Sequence, residues 1–194
     1  MKLQKKFEIR DETDDFVPSK RKFLKKLACG TLMTMGCSTG HAMWNFPSHK
    51  VLSFHHTHTG DRLKLTYFEH GSYLEDALEE INYLLRDFRT GSIHPIDTGL
   101  LDQLYDLKLL LGVNKPFRIV SGYRSPQTNA RLRRSSHGVA KHSLHMEGRA
   151  IDIWVEGYDT RVLRKAAVSM RRGGVGYYPK SNFVHLDTGR FRTW

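Results

Sequence analysis

The stretch "SLHMEGRAIDI", Ser143–Ile153, joins a histidine to an aspartate across a short glycine-containing segment. From Ala150 onward the residues alternate in the way that is typical of an extended strand. On such a strand Ile151 and Ile153 share one face, and Asp152 lies on the other. An unpaired carboxylate is costly to bury, so this aspartate needs a cation, a cluster of donors or a metal.

A second strand with matching chemistry is predicted in "NFVHLDTG", Asn182–Gly189. Its alternation places His185 and Asp187 on one face. If the two strands are neighbours, His185 converges with Asp152, and His145 arrives from the loop before the first strand. Three nitrogen or oxygen ligands that leave a fourth position for water are what a catalytic zinc site requires. Zinc would lower the pKa of its water to about 7 and polarise a carbonyl.

The rest of the chain predicts an α+β fold, in which a small antiparallel sheet carries the zinc site and packs against helices. A hairpin is expected from "KVLSFHH" and "RLKLTYF", joined at Gly60-Asp61. In "SYLEDALEEINYLLRDF" apolar residues recur at helical spacing, Ser72 and Glu75 form a capping box, and Gly91 follows the end. A second helix is expected from about residue 98 to residue 111. The helices come mainly before the strands that carry the chemistry, which favours α+β over a doubly wound sheet.

Four further elements are predicted nearer the site. They are a strand in "FRIVSG", a helix within "YRSPQTNARLRR", a helix in "TRVLRKAAVSMRR", and a strand in "GGVGYYP" that pairs with "NFVHLDTG". Arg171 and Arg172 are expected at the end of the third of these, where positive charge suits the helix dipole.

The charge and length place limits on function. The 194 residues suit one domain of ordinary size, and the formal net charge is +11. The first 42 residues carry nine basic and five acidic side chains, so the remainder is also basic. This charge suits nucleic acid, anionic lipid or an acidic wall polymer. The sequence has neither a helix-turn-helix signature nor an aromatic-basic ladder, which disfavours nucleic acid as a partner.

The N-terminus, residues 1–42, is predicted to be an export signal that is cleaved after Ala42, leaving a domain at 43–194 that carries the predicted zinc site. A basic cluster at Lys20–Lys26 precedes a short apolar run and the small residues of Gly40–Ala42. Residues 19–25 resemble the twin-arginine motif, with Lys in place of the first Arg, so we expect twin-arginine export to the periplasm. The apolar run is too short to span a bilayer. Two alternatives are a lipoprotein anchored at Cys37 and a disordered basic tail.

Both cysteines, Cys29 and Cys37, lie inside this predicted signal. The mature chain would therefore contain no disulfide and no thiolate ligand, and any metal would be held by nitrogen and oxygen. The histidine-rich "HHTHTG" at residues 55–60 is also metal-like in composition. It is better explained as a solvated hairpin turn, because it supplies no carboxylate.

Several ordered motifs carry a family resemblance. "SGYRS" at Ser121–Ser125, Ser143-x-His145-x-x-Gly148-x-Ala150-x-Asp152, and "FVHLD" at Phe183–Asp187 together resemble the zinc D-Ala-D-Ala carboxypeptidase superfamily, which has the hedgehog/DD-peptidase fold. Within it, the chain from about Val51 to its end looks most similar to the murein endopeptidase K branch. Those are exported enzymes that cut the peptide cross-links of peptidoglycan.

The resemblance implies roles for particular residues. Zinc would be held by His145, Asp152 and His185, and peptidoglycan peptide stems would be the partner. Arg124 would donate to a substrate carbonyl or carboxylate, for which its planar fork of donors is suited. Gln127 and Ser143 would be supporting contacts.

The general base is not assigned by the resemblance. Several relatives carry an acid three residues before the second zinc histidine, and here that position is Asn182, which cannot accept a proton. Asp187 is the first candidate and His142 the second. Asp187 would alternatively orient a zinc ligand.

Other questions stay open at this level. A zinc-containing module without catalysis, as in hedgehog-type relatives, is the main alternative to the peptidase, and the absence of an acid at position 182 is its best support. The sequence does not decide between cross-links that join two diaminopimelate residues and those that join D-Ala to diaminopimelate, or between endopeptidase and carboxypeptidase action. A monomer is the default expectation. Tyr177 and Tyr178 would line a groove or serve only in packing.

Overall fold

The predicted hairpin opens the part of the chain that this computed structural model describes, which is residues 48–135 and 138–194. The predicted export signal and its cleavage site lie outside these residues. The strands are β1 (His49–His56), β2 (Arg62–Glu69), β3 (Ser72–Tyr73), β4 (Phe117–Ser121), β5 (Ala150–Val155), β6 (Gly174–Tyr178), β7 (Phe183–Asp187) and β8 (Arg192–Thr193). The helices are α1 (Glu75–Leu84), α2 (Thr98–Leu111), α3 (Pro126–Ser135) and α4 (Thr160–Ser169), with 3-10 turns at Leu144–Glu147 and Pro179–Ser181.

The strands form one eight-stranded sheet in the order β3-β2-β1-β4-β5-β7-β6-β8. Most neighbours are antiparallel, whereas β1 with β4 and β6 with β8 are parallel. The α+β class is therefore confirmed, with a larger sheet than expected. The two strands that carry the predicted ligands, β5 and β7, are adjacent at its centre.

The main core lies on one face of this sheet. Ile151 and Ile153 on β5, and Val184 and Leu186 on β7, are fully buried there. α4 packs against these strands and against α2. Apolar alternation on β5 and β7 thus anchors one face in the core and leaves the other face for the polar side chains of the site.

The helix prediction was accurate for α2 and inaccurate for α1. α2 covers Thr98–Leu111 as expected, and the side chain of Asp97 caps it by accepting from the Gly99 amide at 2.8 Å. The predicted capping box of α1 is wrong: Ser72 pairs with β2 as part of β3, and Leu74 precedes the helix without a side-chain cap. Strand pairing has taken the residue that would otherwise have capped the helix.

Helices α1 and α4 both end earlier than expected. The end of α1 was predicted from Gly91 and that of α4 from Arg171 and Arg172. α1 ends at Leu84, and the Gly91 amide instead closes a turn on the Asp87 carbonyl at 2.7 Å. α4 ends at Ser169, so Arg171 and Arg172 follow the helix. Arg172 forms an ion pair with Asp106 and so contacts α2.

Within residues 48–135 and 138–194, no helix combines the length and the apolar character that crossing a bilayer requires.

Candidate metal centre

Three neighbouring strands bring polar side chains to the face of the sheet opposite the core. Asp152 on β5 is the register partner of His185 on β7, so their side chains leave the sheet on the same side. On the other side of β5, Asp152 pairs with Ser121 of β4. This pair follows an irregularity in β4 between Ile119 and Ser121. Such a bulge changes the face to which the following residue points, which places Ser121 beside the carboxylate.

His145 reaches this face from the 3-10 turn that precedes β5. The turn ends at Gly148, whose positive φ of 66° lets the chain reverse into the strand. The His145 ring is buried, and its Nδ1 lies 2.8 Å from the Gly122 carbonyl. Because a carbonyl only accepts, Nδ1 carries the proton, and the lone pair of Nε2 points toward Asp152 and His185.

The nitrogen and oxygen atoms of the three residues converge. His145 Nε2 and His185 Nδ1 lie 3.2 Å apart, and Asp152 Oδ1 is 3.3 Å from the first and 2.8 Å from the second. Ligands at bond lengths typical of tetrahedral zinc would be about 3.4 Å from one another. The three atoms thus have the spacing that a single small divalent ion requires, and in the described residues no other group of metal-ligating side chains converges in this way.

The electrostatics of the cluster suit a cation. Burial would raise the pKa of Asp152, but the neighbouring imidazoles His145 and His185 outweigh it and keep the carboxyl ionised well below its usual range. Burial lowers the pKa of His145, which favours its neutral, ligating form. Burial acts in the same direction on His185, yet its hydrogen bonds to Asp152 and Asp187 prevail and raise its pKa to about 9. Without an ion, a proton on His185 therefore takes the place of the positive charge.

Asp187 accepts a hydrogen bond from Nε2 of His185, the ring nitrogen that points away from the centre. Nε2 lies 3.0 Å from Asp187 Oδ2, so it donates to that carboxylate and leaves Nδ1 to face the centre, where it offers a lone pair when the ring is neutral. Asp187 is fully buried. Its oxygens also accept from the Gly174 and Gly189 amides at 3.0 and 2.8 Å and from Arg192 at 3.0 and 2.7 Å.

Two glycines on β6 make room for this support. A Cβ atom on Gly174 would lie 2.4 Å from the Arg192 guanidinium and 2.5 Å from the Asp187 carboxylate. One on Gly176 would lie 2.7 Å from the Trp194 ring. Side chains at either position would therefore displace the groups that surround His185.

The C-terminal Trp194 forms a wall of the centre that sequence reasoning missed. Its ring centroid is 5.3 Å from that of His185, and its Nε1 donates to the Tyr178 hydroxyl at 2.9 Å. The Tyr178 ring stacks on Phe183. Only the pairing of β8 with β6 brings the last residue of the chain here, and no local pattern marks it.

Arg124 lies beside the centre with its donors only loosely engaged. Its guanidinium is largely buried, 3.6 Å from Asp152 Oδ2 and 3.5 Å from both Asn129 Oδ1 and Ser121 Oγ. Its Nε has no partner among the described residues. Burial lowers the pKa of Arg124, although the charge of Asp152 opposes this. A cation held in this way has donors available for a ligand.

The other residues predicted for the site differ in burial and in the element that carries them. Ser143 is buried at the start of the 3-10 turn that carries His145, whereas His142 is exposed just before it. Gln127 is exposed on the first turn of α3. Asn182 has a left-handed backbone, and its Oδ1 lies 3.5 Å from the Thr160 hydroxyl at the start of α4.

The histidine-rich turn at residues 55–60 is less solvated than expected. His56 is fully buried, and its Nδ1 accepts from the backbone amides of His58 and Thr59 at 3.2 and 3.3 Å. The ring of His58 stacks on Phe88 at 4.1 Å. These side chains pack the turn against the segment after α1.

Comparison with known proteins agrees with this geometry. Residues 46–194 match the Peptidase_M15_2 family, described as Peptidoglycan L,D-endopeptidase MepK. The chain is similar to the protein of that name from Escherichia coli (strain K12), at 44% identity over 181 residues that span 93% of this chain and 100% of the relative. It is also similar to a probable peptidoglycan L,D-endopeptidase MepK of Haemophilus influenzae, at 42% identity over 79% of this chain and 83% of the relative.

Proposed function

Because the chain belongs to the Peptidase_M15_2 family of peptidoglycan peptidases, we propose that it hydrolyses peptide cross-links of peptidoglycan with the help of Zn²⁺ held by His145, Asp152 and His185. The names of the relatives favour the L,D type of cross-link and endopeptidase action.

One observation carries the proposal: three ligand atoms lie between 2.8 and 3.3 Å apart, and both imidazoles have their tautomers set by partners behind them. A buried cluster that served only packing would have no reason to turn both free nitrogens and a carboxylate oxygen toward one point. The chemistry of the donors, two nitrogens and one oxygen, suits zinc.

When bound, zinc supplies a Lewis acid that activates water and polarises a carbonyl. The protein supplies position and charge. His145 and His185 are held rigidly, one by a backbone carbonyl and one by Asp187, so the site needs little reorganisation. Arg124 is placed to donate to the oxygen of the scissile carbonyl or to a nearby carboxylate, since its long contacts with Asp152 and Asn129 leave donors free.

We assign Asp187 to orientation rather than to proton transfer. Both of its oxygens are occupied by five hydrogen bonds, and it lies on the side of His185 away from the converging atoms. His142, the second candidate base, stays a prediction. Ser143 and Gln127 are proposed as supporting contacts to the substrate, Ser143 beside His145 and Gln127 on α3.

A zinc-binding module without catalysis is the alternative that one observation favours. Asn182 replaces the acid seen in several relatives, and its side chain is directed to Thr160. The peptidase is preferred because Arg124 keeps unengaged donors next to the centre, which a purely structural zinc site does not need.

The peptidoglycan substrate leads us to propose the periplasm as the site of action, with the first 42 residues serving as a twin-arginine-like export signal. A monomer with no nucleic-acid partner is proposed as the working form.

Digestion of purified peptidoglycan tests the function. The zinc-loaded protein should release L,D-cleaved muropeptides identifiable by mass spectrometry, chelation should stop their release, and added zinc should restore it. An Asp152→Ala variant that retains the wild-type circular dichroism spectrum is the control. A folded, zinc-loaded wild-type protein that releases no product would establish the non-catalytic module instead.

A further inference from the structure

A second cationic feature lies outside the metal centre, in a surface cavity of about 310 Å³. Three of its lining residues are arginines, and the rest are polar; the lining consists of Arg89, Thr90, Gln127, Thr128, Arg131 and Arg134. We refer to this feature as the arginine cavity. It lies between the turn that follows α1 and the exposed side of α3.

The three guanidiniums are presented by ordered backbone. Arg131 and Arg134 are three positions apart on α3 and therefore share a helix face. The guanidinium of Arg89 lies over the ring of Phe88, 4.1 Å from its centroid, and this stacking restrains the side chain. Holding an arginine in advance reduces the entropy that a bound anion would have to offset.

Within the described part of the chain, none of these arginines has a carboxylate within ion-pair distance. Asp87 is close, but its oxygens already accept from the Ser125 amide and hydroxyl at 2.9 and 2.6 Å and from the Arg89 amide at 3.0 Å. Partial burial and the like charges of Arg131 and Arg124 lower the pKa of Arg89, against the opposing charge of Asp87. The cavity thus concentrates positive charge that Asp87 offsets only in part.

The arginine cavity and the metal centre are connected through Arg124. Its guanidinium contacts Asp152 of the centre on one side and Asn129 of α3 on the other. Thr128, the neighbour of Asn129, lines the cavity. A short series of contacts, from Asp152 through Arg124 and Asn129 to Thr128, therefore joins the centre to the lining of the cavity.

We propose that the arginine cavity is a subsite that binds a free carboxylate of the peptide substrate. This inference rests on the proposed function, since it places a group of the same substrate. Cross-linked peptide stems carry carboxylates that take no part in the bond being cut. A planar guanidinium binds such a group through two parallel hydrogen bonds, and the Gln127 and Thr90 side chains add neutral partners.

The test compares two soluble cross-linked muropeptides, one with its carboxylates free and one with them amidated. The probe enzyme is the full-length Arg89→Gln/Arg131→Gln variant. Its KM for the free-carboxylate substrate should rise about tenfold or more while kcat changes little, because the lost contacts are charge-assisted and remote from the reacting bond. On the amidated substrate, the wild-type and variant proteins should have the same KM.

Arg133→Gln is the matched control, since it removes the same charge from the same helix at a position that does not line the cavity. Equal loss in this control, or equal loss by the double variant on both substrates, would overturn the subsite and leave only a general electrostatic effect. Calorimetric binding of the two muropeptides to the zinc-loaded wild-type protein separates the subsite from the proposed function. Tighter binding of the free-carboxylate form by the wild type, lost in the Arg89→Gln/Arg131→Gln variant, supports the subsite even if no turnover occurs, and equal binding of the two forms by the wild type refutes it.

Discussion

The two carboxylates that flank His185 differ in what satisfies them. Asp187, behind the ring, accepts from two backbone amides, an arginine and the imidazole, and it is completely buried. Asp152, in front of the ring, contacts only the two imidazoles at short range, with Arg124 at 3.6 Å. One carboxylate has its full set of protein donors, and the other has partners that are themselves proposed metal ligands.

This difference shows that the hydrogen-bond partners of a buried carboxylate indicate its role in a site. A buried carboxylate with fixed donors holds other groups in place, because its lone pairs are already used. A buried carboxylate whose partners are nitrogens that can ligate a metal needs a cation to balance its charge. The comparison supports our proposal that Asp152 binds the metal and that Asp187 orients His185, and a graded series of substitutions tests both roles.

The largest effect is expected from Asp152→Asn. An amide oxygen is a much poorer ligand than a carboxylate, so bound zinc and turnover should both fall below detection while the fold is retained. Metal analysis after dialysis and chromatography of digested muropeptides would measure this. Normal zinc content with full activity would show that the ion is not held here.

Asp187→Asn should weaken zinc binding by about 10- to 100-fold, since the amide can donate to His185 and favour the wrong tautomer. With zinc at saturation, most of the turnover should return. If Asp187 were instead the general base, saturating zinc would leave turnover low, and the acidic limb of the pH profile of kcat would be lost.

A smaller effect is expected from Arg192→Gln. Asp187 would keep its two amide donors, so the affinity for zinc should fall by about tenfold or less. Titration of the metal-free protein with zinc would measure it. Arg190→Gln, an exposed neighbour, is the control and should behave as the wild type; equal losses in the two variants would rule out a role through Asp187.

The smallest effect on turnover is expected from substitution of Asp87, a buried carboxylate outside the centre. Its effect is instead on stability at low pH. Burial would raise its pKa, but hydrogen bonds from the Ser125 hydroxyl and from the Ser125 and Arg89 amides prevail and lower it to about 2. A group with a lowered folded-state pKa stabilises the protein above its unfolded pKa. That contribution, about 2 kcal/mol, is lost as the pH falls from about 4 to about 2.

Asp87→Asn should remove this part of the acid sensitivity. Urea unfolding at a series of pH values would show a flatter dependence between about pH 4 and pH 2 than in the wild type. An unchanged slope would mean that Asp87 is not held in its ionised form by these contacts.

Strand alternation and the span of α2 were predicted accurately from local pattern. Alternation in "GRAIDIWV" and "NFVHLDTG" places Asp152 and His185 on polar faces, and the structure pairs them directly. The expected span of α2, from about residue 98 to residue 111, also matches the structure. Where two local signals competed, as at Ser72, the cap was lost to a strand because pairing with β2 forms backbone hydrogen bonds.

The sequence by itself determined the residue types of the centre, the absence of thiolate ligands outside the predicted signal, and the faces of the strands, since these depend on composition and on a two-residue period. Only the tertiary structure decided which nitrogen of each imidazole is free, that the oxygens of Asp187 are already occupied by donors, that Trp194 packs beside His185, and that Arg89 lines one cavity with two arginines of α3. These features depend on contacts between residues far apart in the chain, from Gly122 with His145 to β8 with β6. Such contacts form only when the sheet assembles, and no local periodicity encodes them.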